Sequence, residues 1–236
     1  MLMKRQLLVL LLGSALAGAQ PPQSAHQEMS HGDHMQHRFD NPEQWAKSFD
    51  DPARDAWQMP DKVIAALKLK PGQVVADLGA GTGYFTVRLA RSPAMPKVYG
   101  VDIEPSMVNY IRERMAKEGL KNVVAVQASA DNANLPERVD LVLIVDTYHH
   151  IGNRETYFRR LAKSLKPGGR VAIIDFKPDA PDGPPKEFRF PPEKVEKEMA
   201  AAGYALSEKL DFLPRQQFLI FTLVAHALVR AAFTLV

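Results

Sequence analysis

Residues Val74 to Phe85 read VVADLGAGTGYF, and this stretch decides the fold of the chain. The first five residues, Val74 to Leu78, are mostly apolar and β-branched, which predicts a strand buried on both faces of a parallel sheet. Three alternating glycines follow, at Gly79, Gly81 and Gly83. Glycine tolerates a positive φ and lets another molecule approach the backbone, and the start of the next helix offers free N–H groups. The stretch therefore predicts a strand, a ligand-binding turn and a helix.

The residues beside the glycines distinguish between two classes of ligand. Asp77 puts a fixed carboxylate next to the turn, which suits a ligand carrying positive charge and disfavours a pyrophosphate. The dinucleotide-binding fingerprint also needs a third glycine three residues after the second, where this chain has Tyr84. A nicotinamide-dependent oxidoreductase is therefore a less favoured alternative.

The stretch from Asp77 to Gly83 consists of an acidic residue, one spacer and the pattern GxGxG. In it the chain resembles the class I S-adenosylmethionine-dependent methyltransferases, whose first motif has this form. The resemblance implies an α/β, Rossmann-like fold with a seven-stranded mixed sheet, parallel with one antiparallel strand, and helices on both faces. It also implies S-adenosyl-L-methionine as the cofactor and methyl transfer as the activity. The residues that it assigns to the cofactor in this stretch are Asp77, Gly79, Ala80, Gly81, Gly83 and Tyr84.

A second motif follows at the end of the next predicted strand, Lys97 to Val101. Asp102 comes 21 residues after Gly81, where a carboxylate can accept hydrogen bonds from both hydroxyls of a ribose. The sequence VDIEPSM around Asp102 and Ile103 also resembles the second motif of the family, which implies that both residues bind the cofactor. The alternative for Asp102 is a cap of the helix predicted to begin at Pro105.

The loop after the third predicted strand, Val123 to Gln127, reads ASADNANLP. In the family this loop flanks the adenine, often through an aspartate in a GDA sequence, and this chain departs from that sequence. The candidates for the adenine contact are Ser129, the backbone of Ala130, and Asp131. Asp131 is equally compatible with a surface turn.

A fourth predicted strand, Asp140 to Val145, ends in the sequence DTYHH. Ligands of open α/β sheets lie outside the carboxyl ends of the strands, where the strand order reverses. We expect Asp146 near the methyl donor and either His149 or His150 toward the acceptor as a general base, with Tyr148 as a further candidate. Adjacent residues of an extended chain point in opposite directions, so at most one of the two histidines should face the site. The sequence lacks the NPPY or DPPY motif of enzymes that methylate nucleobases.

The composition indicates a globular protein of one main domain. The 236 residues are 46% hydrophobic and 24% charged, with a formal net charge of +3. Without Lys4 and Arg5, 28 basic residues (30 − 2) face 27 acidic ones. This balance leaves no excess of positive charge that would bind nucleic acid, and it favours a small-molecule substrate. The chain has no cysteine, which excludes disulfides, thiolate metal sites and cysteine nucleophiles.

The amino-terminal 38 residues comprise a predicted export signal and a linker. Residues 1–19 combine a basic start, a short apolar core and small residues that fit a cleavage site, which is typical of a signal peptide. The expected location is periplasmic or secreted, or cytoplasmic if the first 19 residues are not a signal. Residues 20–38 form a His-rich linker in which His31, His34 and His37 can bind copper or zinc, or simply be solvated. An exported, non-catalytic metal- or ligand-binding protein is thus a second alternative.

The remaining segments surround the predicted methyltransferase domain, residues 71–224. Residues 39–70 read as an amino-terminal arm, too irregular before Pro60 to form a core element. This arm either covers a sheet edge or folds over the cofactor site, with Arg54 or Gln58 contacting ligand. The proline-rich loop at 177–192 is either a lid or a stiff connector. The apolar tail at 225–236 is expected to pack as a helix, and no membrane span is expected in the mature chain.

Overall fold

The computed structural model describes residues 41–224. The predicted signal peptide, the His-rich linker with His31, His34 and His37, and the apolar tail lie outside the described residues. Within residues 41–224, no helix is long and apolar enough to cross a membrane. In the same part of the chain, no three His, Cys, Asp or Glu side chains are grouped so that they would hold a metal ion.

A seven-stranded sheet forms the centre of the fold, in the order β3-β2-β1-β4-β5-β7-β6. Strand β7 pairs antiparallel with both β5 and β6, and the other neighbours pair parallel. This topology confirms the predicted mixed sheet with one antiparallel strand. The strands are β1 (Val74–Leu78), β2 (Lys97–Asp102), β3 (Val123–Gln127), β4 (Val139–Val145), β5 (Leu165–Phe176), β6 (Tyr204–Leu210) and β7 (Gln216–Leu223).

Helices cover both faces of this sheet, as predicted. They are α1 (Pro42–Phe49), α2 (Asp55–Gln58), α3 (Pro60–Ala66), α4 (Tyr84–Ala90), α5 (Pro105–Lys117), α6 (Arg154–Leu161) and α7 (Pro192–Ala201). One apolar cluster joins the sheet to α6 and α7, and a second joins it to α3 and α4. Strand β4 is therefore apolar on both sides, and Leu141 to Ile144 are fully buried. The strand order reverses between β1 and β4, which marks the edge where a ligand is expected.

The arm before Pro60, which the sequence predicts to be too irregular for a core element, contains regular helices. Helix α1 begins after Asn41, whose side chain accepts a hydrogen bond from the N–H of Gln44 at 3.1 Å. A 3-10 turn, Pro52–Arg54, begins in the same way, with the side chain of Asp51 accepting from the N–H of Ala53 at 2.9 Å. Asn41 and Asp51, each followed by proline, therefore begin helical segments here.

The sequence KPGG at residues 166–169 predicts a turn between a helix over 154–165 and a strand over 171–174. The structure corrects the turn and the bounds of both elements. Helix α6 ends at Leu161, and KPGG lies inside the longer strand β5. Val139 pairs with Leu165 and Leu141 pairs with Arg170, so the residues between them bulge out of the ladder. The glycines thus bend a continuous strand and do not separate two elements.

Candidate active site

The glycine turn after β1 lies against the end of β4 and the arm. Gly79, Gly81 and Gly83 have φ values of 75°, 54° and 90°, in the region that favours glycine. A Cβ on Gly79 would lie 2.2 Å from Oγ1 of Thr147, and a Cβ on Gly81 would lie 3.2 Å from the ring of Phe49. The turn therefore needs glycine both for its conformation and for its close neighbours.

Asp102 fastens this turn to the end of β2. Its Oδ2 accepts a hydrogen bond from the N–H of Gly81 at 2.8 Å, and its Oδ1 accepts from the N–H of Glu104 at 3.0 Å. Glu104 holds the N-cap position of α5 without a side-chain capping hydrogen bond, and Asp102 lies two residues before it. Ala80 is buried in the turn, whereas the side chain of Ile103 is half exposed beside Asp102. This corner combines a carboxylate with an apolar surface, which suits a ribose and the base attached to it.

Asp77 lies beneath the turn with 3% of its surface exposed. Its Oδ2 accepts a hydrogen bond from the hydroxyl of Thr86 at 2.6 Å. Burial raises the pKa of Asp77 to about 6, although the Thr86 hydrogen bond and the charge of Arg54 lower it. The neighbouring Thr82 hydroxyl is buried and has no hydrogen-bond partner among the described residues. A carboxylate and a hydroxyl so placed are suited to a ligand that brings positive charge and hydrogen-bonding groups.

Asp146 joins the end of β4 to the arm through a closed ring of hydrogen bonds. Arg54 Nη2 lies 3.2 Å from Asp146 Oδ2, and Arg54 Nε donates to Gln58 Oε1 at 3.0 Å. Gln58 Nε2 donates to Gln216 Oε1 at 2.5 Å, and Gln216 Nε2 donates to the other oxygen of Asp146. Burial raises the pKa of Asp146 to about 7, against the lowering effect of Arg54. The arm thus covers the strand ends, and both arm residues considered from the sequence, Arg54 and Gln58, lie there.

Aromatic side chains of the arm extend this cover along the sheet edge. Phe49 contacts the glycine turn, and the ring of Trp57 lies 5.7 Å from the ring of Phe176 at the end of β5. Tyr84 donates a hydrogen bond from its hydroxyl to Asp55 of the arm. Its ring lies 4.3 Å from the guanidinium of Arg54. The predicted cofactor residue Tyr84 therefore holds the arm, and a ligand below it is shielded from water.

The loop after β3 begins beside Asp102, because the N–H of Ala128 donates to the Asp102 carbonyl at 2.8 Å. The hydroxyl of Ser129 donates to Asp131 at 2.9 Å, and Asp131 also pairs with Arg160. Ala130 and Asp131 are exposed. The loop thus lies at the predicted place, whereas the carboxylate of Asp131 is already engaged by its neighbours.

His149 and Asp175 form a buried pair at the ends of the adjacent strands β4 and β5. His149 Nδ1 lies 2.9 Å from both carboxylate oxygens of Asp175, and the two side chains are 7% and 6% exposed. Asp175 also accepts the backbone N–H groups of His149 at 3.1 Å and Phe176 at 2.8 Å. Because the carboxylate only accepts, Nδ1 carries the proton and Nε2 is the nitrogen that can act as a base.

Opposing effects set the pKa of His149. Burial lowers it, but the hydrogen bond to Asp175 and the charges of Asp175 and Asp146 outweigh burial, so the pKa is raised above its ordinary value. Arg154 opposes the increase. The carboxylate thus both orients the imidazole and makes it a stronger base, which suits it to take a proton from an acceptor.

The structure separates the other two candidates in this segment from His149. Tyr148 is fully buried, with its hydroxyl donating to Glu198 at 2.5 Å and its ring 5.6 Å from that of Phe158. The prediction of Tyr148 as a catalytic residue is therefore corrected, because its side chain belongs to the core. His150 is exposed, and its ring lies 4.1 Å from the ring of His149. The two rings do not point in opposite directions, since residues 148–150 form a 3-10 turn and not an extended strand.

Comparisons with known proteins agree with this geometry. A family model described as a methyltransferase domain matches residues 69–217. The ubiquinone/menaquinone biosynthesis C-methyltransferase UbiE of Vibrio campbellii is 34% identical over 110 residues, which cover 45% of this chain and 42% of UbiE. The chain thus spans less than half the length of this curated relative.

Solved structures of methyltransferases resemble the chain over a longer stretch. A SAM-dependent methyltransferase from Aquifex aeolicus is 28% identical with a TM-score of 0.71, covering 78% of this chain and 99% of that one. The magnesium protoporphyrin IX methyltransferase ChlM of Synechocystis, determined with bound SAH, shares the fold at a TM-score of 0.63 and 18% identity. It covers 81% of this chain and all of ChlM.

Proposed function

Since the chain belongs to the methyltransferase domain family, whose cofactor is S-adenosylmethionine, we propose that it methylates a hydroxyl group of a small molecule. The observation that carries this proposal is the buried pair of His149 and Asp175 at the ends of β4 and β5. A hydroxyl needs a base that removes its proton as it reacts. The histidine and carboxylate supply this base beside the carboxylates expected to hold the cofactor.

The residues that fit the cofactor lie along one edge of the sheet. Asp102 and Ile103 are suited to its ribose and base, and Asp77 and the glycine turn are suited to its amino-acid part. When bound, S-adenosylmethionine supplies an electrophilic methyl carbon on a sulfonium, which becomes a neutral thioether. Asp146 is placed to balance positive charge at the end of β4.

The role of His149 follows from its two ring nitrogens. Asp175 holds the proton on Nδ1, so the Nε2 lone pair is free to take the proton of the acceptor hydroxyl. The imidazolium that results is stabilised by the Asp175 carboxylate, and the oxygen is left as the nucleophile. The arm residues Phe49 and Trp57 exclude water from the edge where this happens.

Methylation of carbon is the second candidate, because UbiE is by name a C-methyltransferase. The same base serves that reaction if it removes a proton from a hydroxyl next to the accepting carbon. The position of the new methyl group in the product distinguishes the two reactions.

A panel of small hydroxylated compounds, each paired with its methyl ether, tests the proposal. We expect labelled methyl groups from S-adenosylmethionine to appear in some of the free hydroxyl compounds and in none of the ethers, because an ether has no proton for His149 to remove. Mass spectrometry of the products measures the transfer, and NMR locates the methyl group. Equal methylation of ethers and hydroxyl compounds would reject the base-assisted reaction.

Cofactor affinity should depend on pH because of Asp77 and Asp146. Their pKa values are raised to about 6 and about 7 in the free protein, so both lose protons as the pH rises through these values. A cationic ligand binds the ionised carboxylates better. We therefore expect the affinity for S-adenosylmethionine to rise between about pH 5 and about pH 8 and then to level off.

Titration calorimetry at several pH values measures this effect. S-adenosylhomocysteine is the matched control, because it lacks the positive charge on sulfur, and its affinity should rise less over the same range. The part of the pH dependence that comes from Asp77 should appear with both ligands, because both carry the amino group. An equal pH dependence for both ligands would therefore contradict the placement of Asp146 beside the sulfonium.

A further inference from the structure

Gln217 lies beside the His149–Asp175 pair and has no part in the role assigned to that pair. It is the antiparallel partner of Asp175 in the β5–β7 ladder. Directly opposite residues of an antiparallel pair project from the same face of the sheet. Ile173 and Leu219, the next residues on that face, belong to one apolar cluster, so Asp175 and Gln217 continue this face toward the ligand edge.

Only one of the two polar atoms of the Gln217 amide has a hydrogen-bond partner among the described residues. Nε2 donates to the carbonyl of Phe190 at 2.7 Å, whereas Oε1 is buried without a partner among the described residues. The residue is 5% exposed. Exchanging the two amide atoms would set an oxygen against the Phe190 carbonyl, so the hydrogen bond fixes which atom lacks a partner. A buried carbonyl oxygen without a donor lowers stability, and a ligand that brings a donor recovers this loss.

Space for such a ligand is present next to Gln217. A cavity of about 250 Å³ is lined by Gln217, Lys177, Pro192, Lys209 and neighbouring residues. It lies between the ends of β5 and β6 and the loop that leads to α7. Its volume suits one end of a small molecule and not a whole cofactor.

We propose that Gln217 Oε1 accepts a hydrogen bond from the methyl acceptor, and that the acceptor therefore carries two donor groups. One is the hydroxyl whose proton passes to His149. The other, a hydroxyl or an N–H that keeps its proton, donates to Gln217. This inference rests on the proposed function and narrows it to acceptors with two hydroxyls, or with a hydroxyl and an N–H group.

A binding experiment that needs no turnover tests the inference. The protein is saturated with S-adenosylhomocysteine, and ligand-observed NMR measures the affinities of matched dihydroxy and monohydroxy compounds, catechol and 2-methoxyphenol among them. For the pairs that bind, we expect the dihydroxy compound to bind about ten- to a hundredfold more tightly. The Gln217→Met variant should reduce this preference to less than about twofold, because the side chain keeps its length but loses its acceptor.

The Gln217→Glu variant separates recognition from a purely structural role. Glutamate keeps an acceptor oxygen but cannot donate to Phe190 while it is ionised. We expect it to retain the preference for dihydroxy compounds, whereas an indirect structural effect of losing the hydrogen bond to Phe190, which both variants lose, would remove the preference from both.

Two results would overturn the inference. One is that no dihydroxy compound binds better than its monohydroxy partner, and the other is that Gln217→Met keeps the preference. Neither depends on product formation, so failure of this inference is distinguishable from failure of the proposed methyl transfer.

Discussion

Replacing His149 by alanine is expected to lower kcat by about 10²- to 10⁴-fold, the range that a positioned general base contributes. Cofactor affinity should change little, because His149 contacts Asp175 and not the glycine turn. Single-turnover rates and calorimetry with S-adenosylhomocysteine measure the two effects separately. A loss of cofactor affinity as large as the loss in rate would instead indicate a structural role for this histidine.

His150→Ala is the matched control. It removes a neighbouring imidazole whose ring lies 4.1 Å away but which is exposed. Its effect on kcat should be at least about tenfold smaller, since the ring of His150 is exposed, whereas His149 is buried against a carboxylate that orients its imidazole. Equal losses in the two variants would contradict the assignment of the base to His149.

The pH profile of turnover should identify Asp175 as the residue that positions the base. The rate rises with pH as His149 loses its proton, and Asp175 raises the pKa of His149. In Asp175→Asn the negative charge is gone, so the rising part of the profile should move to lower pH while the maximal rate falls. An unshifted profile in Asp175→Asn would mean that another group controls the rate.

Replacing Gly79 by alanine should be the most destabilising substitution in the glycine turn. The φ of 75° costs an alanine about 1–2 kcal/mol. The added Cβ would also lie 2.2, 2.3 and 2.7 Å from Oγ1, Cγ2 and Cβ of Thr147, and such overpacking costs about 1–3 kcal/mol. We expect the free energy of unfolding to fall by about 2–5 kcal/mol and S-adenosylhomocysteine binding to weaken with it.

The variant Gly119→Ala separates the cost of the positive φ from the cost of the contact with Thr147. Gly119 has a similar φ of 69°, but an added Cβ there meets nothing within 4 Å. Its cost should be limited to the backbone term of about 1–2 kcal/mol. Urea unfolding curves give both values. Adding Thr147→Gly to Gly79→Ala removes the atoms that the new Cβ would meet, so it should recover the stability that Gly79→Ala loses beyond Gly119→Ala. The absence of any recovery would show that the contact with Thr147 does not cause the extra loss.

The sequence was most informative where local pattern and burial agree. The strands predicted at Val74–Leu78 and Val123–Gln127 are confirmed residue for residue. All five residues of β1 are buried, so its apolar run is visible without knowledge of its neighbours, whereas β3 is an edge strand whose signal is its β-branched valines. Asp102 at the end of β2 was found in the same way, because its distance from the glycine turn follows from the length of one helix and one strand.

Contacts between distant parts of the chain were not predictable from local pattern. Arg54 reaches Asp146 across 92 residues, and Asp175 reaches His149 across 26. Asp175 follows the apolar run Val171 to Ile174, so the sequence identifies it only as the end of a fifth strand. The available signal was that β4 and β5 are neighbouring parallel strands, so that the residues after them meet at one edge of the sheet.

The polar residues of β7 were missed for a different reason. Gln216 and Gln217 begin a strand that is otherwise apolar, and glutamine at a strand end usually indicates solvent. Both are buried, at 0% and 5% exposure. The ladder with β5 places Gln217 opposite Asp175, and a side-chain hydrogen bond joins Gln216 to Asp146. Gln216 makes its hydrogen bonds to Gln58 and Asp146, whereas Gln217 Oε1 has no partner among the described residues.

One measurement tests the central claim most directly. The protein is incubated with S-adenosylmethionine labelled in its methyl group and with a small-molecule extract, and the products are analysed by mass spectrometry for wild type and His149→Ala. The proposed function predicts a small molecule that gains one labelled methyl group in the wild type and loses nearly all of this gain in His149→Ala. Protein that binds the cofactor but forms no labelled small molecule, or equal labelling by both proteins, would contradict it.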